Sequence, residues 1–176
     1  MSHEAAEAHE FEIGTDGPSA ILVGVDDSVT SLRAASYAAG LARRQRSRVI
    51  AVYVAPMPYA GGVSAGAGAV VAQEQAHDEV AASLRVRAEE VAKDLGISVR
   101  FIAAHGDAYR EIKRIANEER VDAIVVGASA QAGHKLIGSL AVRLVRAGHW
   151  PVTVVPLRPL ASWRELRVAA ALPRRS

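Results

Sequence analysis

Residues 121–156 read VDAIVVGASAQAGHKLIGSLAVRLVRAGHWPVTVVP, and this stretch decides the fold. Ala123 to Val126 is an apolar run too short for a helix, rich in branched side chains and closed by Gly127. That is the pattern of a strand buried on both faces. Ser139 is a good helix N-cap, followed by Leu140, Ala141, Leu144 and Val145 at three-four spacing, with Arg143 and Arg146 turned outward. Gly148 ends that helix, and Val152 to Val155 form another strand. The unit is therefore strand, loop, helix, strand, with a small-residue loop at the carboxyl end of a buried strand. Open α/β sheets bind ligands there. Backbone N–H groups at a helix start, with the helix dipole behind them, suit an anion such as phosphate. The loop is longer than the ~2–6 residues usual in α/β units, which favours a ligand site over a plain connection.

Working outward, the chain repeats the same rhythm. Ala20 to Val25 (AILVGV) is a first strand, running through Asp26-Asp27-Ser28 into a helix from about Val29 to Arg44. Leu32, Ala35, Ala39 and Ala42 give that helix a small-residue face able to approach a sheet closely. Asp26 has two readings at this strand end: a turn former, or an acceptor for a ligand hydroxyl or base. Its position favours the second. Val49 to Val54 (VIAVYV) is the second strand, followed by a Gly/Ala/Pro-rich stretch, Pro56 to Gly68. A long helix then runs from about Ala72 to Leu95, with Val80, Leu84, Ala88, Val91 and Leu95 in one stripe and His77 read as exposed. Ile97 to Ala104 alternates partly, as an edge strand would, and Asp107 caps a helix with Ile112, Ile115 and Ala116 inward. Five strands alternating with four helices predict an α/β fold, a mainly parallel sheet with helices on both faces.

Residues 1–18 are polar and aperiodic and read as a mostly disordered tail, and 19–158 form the domain. Residues 159–176 form a second tail in which Ser162 to Ala171 make one short helix, with Trp163, Leu166 and Val168 free to cover surface or a partner.

Composition closes several classes. With no cysteine in 176 residues there is no disulfide, no thiolate nucleophile and no Cys-based zinc site. A formal net charge of +2, without a Lys/Arg stripe interleaved with aromatics, argues against nucleic acid. No apolar run approaches the ~18 residues of a membrane helix, and the acidic start is not a signal peptide. These features predict a soluble, cytoplasmic protein. Residues 127–135, GASAQAGHK, are not a Walker A loop: five residues separate the glycines, His precedes Lys, and Leu follows it. The first strand ends in VDDS without a dinucleotide fingerprint, and there is no GxSxG, HExxH or CxxC. Ser28 and Ser139 lack a sequence-evident base and read as N-caps.

Taken together, VGVDDS before a helix, VIAVYV, HGDAYREI and VDAIVVGAS…GS…PVTVVP resemble the universal stress protein family over about Ala20 to Leu157. The resemblance implies an adenine nucleotide alpha hydrolase-like fold, a single five-stranded parallel sheet in the order 3-2-1-4-5. It implies a homodimer through antiparallel pairing of the last strands, here Val152–Val155. In one branch it implies ATP, with Mg2+, bound at the loop and hydrolysed slowly at most. That branch carries Gly, two residues, Gly, nine residues, then Gly-Ser or Gly-Thr. Gly127 matches the first glycine and Gly138-Ser139 the final pair, while Ala130 stands at the second glycine and only seven residues, Gln131 to Ile137, precede Gly138. Gly133 is the candidate to replace Ala130, with His134 or Lys135 adding charge, and Leu140 follows Ser139. Gly24, Asp26, Val54 and Val126 are, by the same resemblance, the adenine and ribose positions. The alternative is the branch that does not bind ATP and acts through dimerisation and partner contacts. An adenylating enzyme of the related α/β group would need glycines that VDDS lacks.

Overall fold

The computed structural model describes residues 17–57, 67–128 and 139–156. Strand β1 (Ala20–Gly24) leads to helix α1 (Val29–Gln45), then β2 (Arg48–Ala55), α2 (Ala67–Leu95), β3 (Val99–His105), α3 (Ala108–Glu118), β4 (Ala123–Gly127), α4 (Ser139–Ala147) and β5 (Val152–Val155). The five strands form one sheet in the order β3-β2-β1-β4-β5, every pair parallel. Order and class are those expected.

Strand periodicity sorts the core into two layers. Ile21 and Val23 of β1, with Val49, Ala51 and Tyr53 of β2, face Ala34, Ala38 and Ala42 of α1 and Leu84 of α2. Leu22, Ile50, Val52, Ile124 and Val126 point the other way, onto Ile112, Ile115 and Ala116 of α3 and Ala141 and Leu144 of α4. Burial on both sides removes the polar face that an exposed sheet would keep, so β1, β2 and β4 read as unbroken apolar runs. β3, at one edge, keeps Arg100 and Ala103 exposed.

Several expectations need correction. The inward face of α1 is Ala34, Ala38, Ala39 and Ala42 with Thr30 and Ser31, while Leu32 and Ala35 are half-buried. Where nearly every apolar residue is alanine, side-chain size does not mark the face. Helix α2 begins at Ala67, five residues before Ala72, because alanine favours helix even in a Gly/Ala-rich stretch. Val91 and Val145 stay 39% and 56% exposed, since α2 and α4 lie over the sheet margins and bury narrower stripes. His77 is half-buried, extending the Val80–Leu84 stripe by one turn, with Nδ1 2.8 Å from the Tyr53 hydroxyl. Pro18, assigned to the tail, is tied to the fold: its carbonyl accepts the Ser47 hydroxyl.

Every helix leaves through a left-handed residue: Arg46 (φ 57°), Gly96 (φ 62°), Arg120 (φ 48°) and Gly148 (φ 66°). The N–H groups of Ser47, Ile97 and Val121 reach back to the carbonyls of Ala42, Ala92 and Ala116 at 3.0, 3.1 and 3.0 Å, the bond that closes a Schellman turn. At the same end of the sheet, Glu119 takes an ion pair from Arg48 (3.0 Å) and another from Arg100 (2.7 Å), tying α3 to β2 and β3. The amino edge is thereby tied together by caps and ion pairs.

Candidate functional site

Two clefts open beside the sheet. One, about 420 Å³, lies between α1 and α2 where Ala35, Ala39, Ala51 and Ala88 leave space. Its lining is apolar apart from Ser36, Arg87 and Glu90. The other, about 430 Å³, lies at the carboxyl ends of β1, β2 and β4, beneath the amino ends of α1, α3 and α4. There the strand order reverses, because β1 connects to β2 on one side and pairs with β4 on the other. Ligand sites of open α/β sheets sit at such a crevice.

The walls of this second cleft divide by chemistry. Val52, Val54, Ile112, Val126 and Leu140 supply an apolar slot, and Asp26, Ser28, Thr30, Ser31 and Ser139 a polar rim. The rim is ordered by the β1–α1 turn. Ser28 donates to Asp26 Oδ1 twice, from N–H at 3.1 Å and from Oγ at 2.6 Å. The same Ser28 Oγ accepts the Ser31 N–H at 3.2 Å, so it is the N-cap expected. Ser31 Oγ accepts from the Asp26 N–H at 3.1 Å and donates to the Ser28 carbonyl at 3.0 Å. Asp27 adopts φ 61° and pairs with Arg87 of α2 at 2.8 Å. Asp26 thus forms the turn through one carboxylate oxygen, while the exposed side chain borders the cleft. Its negative charge also reaches Tyr53, whose hydroxyl titrates above its usual range, first through burial and then through Asp26.

The two glycines named from sequence do different work. A Cβ on Gly127 would lie 2.6 Å from the Thr30 carbonyl carbon, 2.7 Å from its oxygen and 2.8 Å from the Ser31 nitrogen. Only glycine lets β4 meet the first turn of α1 so closely. A Cβ on Gly24 would meet Ile112 Cδ1 at 3.5 Å and Val126 Cγ1 at 3.6 Å, an ordinary contact. The fold does not need glycine at 24, but the missing side chain leaves room in the slot.

Gly24, Asp26, Val54, Val126, Gly127, Ser139 and Leu140 therefore all line one cleft. Ser139 is the first residue of α4 itself, one place inside the expected cap position. Ala130, Gly133 and Gly138, with His134 and Lys135, lie outside the described residues. Sequence reasoning missed Thr30 and Ser31, each 4% exposed although polar. Their signal was two hydroxyls on the sheet-facing side of an alanine-rich helix.

At the cleft's other rim, Asp107 caps α3 by accepting the Arg110 N–H at 3.0 Å. Arg143 of α4 grips the same carboxylate at 3.0 and 3.2 Å, and its guanidinium lies 4.2 Å from the centre of the Tyr109 ring. The Arg143 hydrogen bonds, then the Arg110 N–H, hold the Asp107 carboxyl below its usual range. Among the described residues no three His, Asp or Glu side chains cluster as metal ligands, and no helix is long and apolar enough to cross a membrane.

This architecture is shared. The chain is 29% identical over 138 residues to a universal stress protein of Methanocaldococcus jannaschii, covering 77% of this chain and 80% of that one. The structure of universal stress protein UspA from Lactobacillus plantarum superposes with a TM-score of 0.64 at 24% identity, over 78% of this chain and 97% of that one. A universal stress protein in complex with cAMP superposes with a TM-score of 0.62 at 20% identity, over 81% of this chain and all, 100%, of the other. The model of the universal stress protein family matches residues 19–156, the span from the end of the first tail to the end of β5, and the chain belongs to that family.

Proposed function

We propose that this protein binds an adenine nucleotide, ATP by preference, at the carboxyl edge of β1 and β4, and acts through that binding rather than through turnover. The observation that carries the reading is the slot beside Gly24: a space the fold could fill with a methyl and does not. An adenine suits the apolar walls of Val52, Val54, Ile112 and Val126. Asp26, whose second carboxylate oxygen is not used by the turn, suits a ribose hydroxyl. Ser139 and the amino end of α4 suit the phosphates, with Gly127, Ala130, Gly133, Gly138 and Leu140 as the remaining candidate contacts. A nucleotide held there would bring Mg2+ with its phosphates. The cAMP complex of a relative supports the adenine class.

We further propose a cytoplasmic homodimer joined through β5, whose Val152 and Val154 lie half-buried at the sheet edge. An apolar edge strand is a liability unless covered. The test is mass spectrometry of nucleotide retained on purification, followed by calorimetric titration with ATP, AMP and cAMP. Saturable binding with ATP tightest supports the proposal. No retained nucleotide and no heat with any of the three would refute it and leave the partner-binding alternative.

A further inference from the structure

We propose that Arg143, held by Asp107 and Tyr109, is a positioning residue that latches the amino end of α4 against α3 over the nucleotide pocket. The inference rests on the nucleotide reading above. Helices α3 and α4 each contribute to the pocket wall, through Ala108 and Ile112 on one side and Ser139, Leu140 and Ala141 on the other. These two helices therefore wall part of the slot together, and a change in their spacing reshapes it. Among the described residues, the one hydrogen-bonded link across that spacing is Arg143 to Asp107, at 3.0 and 3.2 Å.

The link is built to fix orientation. A planar guanidinium gripping both carboxylate oxygens defines direction as well as distance, and the Tyr109 ring at 4.2 Å supports its flat face. The same carboxylate caps α3 through the Arg110 N–H, so α4 is referenced to the first turn of its neighbour. Arg143 itself is absent from the pocket wall among the described residues. Both partners are largely exposed, with side chains 47% and 44% accessible, and an exposed pair contributes little to global stability. Its effect should appear in ligand affinity far more than in melting.

Two substitutions separate charge from shape. Asp107→Asn keeps an N-cap of comparable quality while removing the carboxylate. Arg143→Lys keeps the cation while losing the fork and the flat face. Two readouts are taken on the full chain: ATP affinity by calorimetry, and amide hydrogen exchange of Ser139–Ala147 without nucleotide. The expected result is affinity weakened roughly three- to tenfold in each variant, with the double variant no weaker than the worse single one. Exchange in α4 should quicken in the same variants, while the thermal midpoint moves by no more than about 4 °C. Unchanged α4 exchange would overturn the latch. Quickened exchange with unchanged ATP affinity would overturn its role in positioning the pocket. Tighter ATP binding by Asp107→Asn would also overturn it, since the released Arg143 would then be a direct phosphate contact and Asp107 its competitor. If wild type binds no ATP and exchange still quickens, the nucleotide reading has failed and the tie between α3 and α4 stands.

Discussion

Adding one methyl group at each of two glycines separates the folding role of one from the binding role proposed for the other. At Gly127 the new Cβ would meet backbone atoms of Thr30 and Ser31 at 2.6 to 2.8 Å. Carbon contacts prefer ~3.5–4.0 Å, so α1 must withdraw from β4 by roughly 1 Å. Overpacking of this kind costs about 1–3 kcal/mol. Replacing glycine returns about 0.4–1 kcal/mol by restricting the unfolded chain. Gly127→Ala should thus lose about 1–2 kcal/mol net and melt about 2–8 °C lower. At Gly24 the methyl meets Ile112 and Val126 at 3.5 and 3.6 Å, and the backbone has no positive φ. Gly24→Ala should keep its melting point or gain up to about 4 °C. The same methyl would occupy the slot proposed for adenine, so ATP affinity should fall at least tenfold, or about 1.4 kcal/mol. Scanning calorimetry and ATP titration of the two variants give four numbers. Gly24→Ala binding ATP as wild type does, or melting well below it, would refute the assignment of the slot to the base. Gly127→Ala as stable as wild type would refute the close-approach argument.

Asp26→Asn retains a turn acceptor for Ser28 but removes the charge. It should hold the urea midpoint close to wild type, weaken ATP binding, and bring the Tyr53 titration, followed by ultraviolet absorbance, back toward the ordinary tyrosine range. The Asp107 carboxyl, depressed in the folded state chiefly by Arg143, stabilises the fold above its unfolded pKa of about 3.9 and loses that effect as pH falls through the lower folded value. Wild type should therefore exceed Asp107→Asn in urea midpoint at neutral pH, the difference closing as pH falls below the unfolded value, and a gap that widens in acid would contradict the sign. Val154→Lys places a charge at the β5 edge and should shift light scattering from dimer to monomer at micromolar concentration, whereas an unchanged mass would exclude pairing through that edge.

Much of this was legible because parallel strands buried on both faces announce themselves as short unbroken runs of branched residues. β1, β2 and β4 were recognisable for that reason, and the rhythm of elements supplied the class. The strand order came from resemblance, and the observed sheet bears it out. Less was legible where residue size is uniform or where a residue serves two purposes. Alanines on several sides of α1 hid which way it faces, and Thr30 and Ser31 are buried against the pattern. His77 lies on the Val80–Leu84 stripe, yet its polarity argued for solvent until Tyr53 supplied a partner. Asp26 did not divide into turn former or ligand group, because one oxygen forms the turn and the other is left over. Gly24 and Gly127 look alike in sequence, and only the neighbours of a hypothetical Cβ tell them apart.

The left-handed helix exits make the two rims of the sheet unequal as places for change. Each return from helix to strand is confined to residues 46–47, 96–98, 119–122 or 148–151, and three of them are locked by a bond from the second or third residue past the helix to a carbonyl five positions back. One inserted residue would break that bond and also turn the following strand's core side chains toward the wrong layer. Two of the connections at the opposite rim are longer in sequence, residues 56–66 and 128–138. Evolutionary novelty, grafted epitopes and reporter labels accordingly have least room at the helix-exit rim of this molecule.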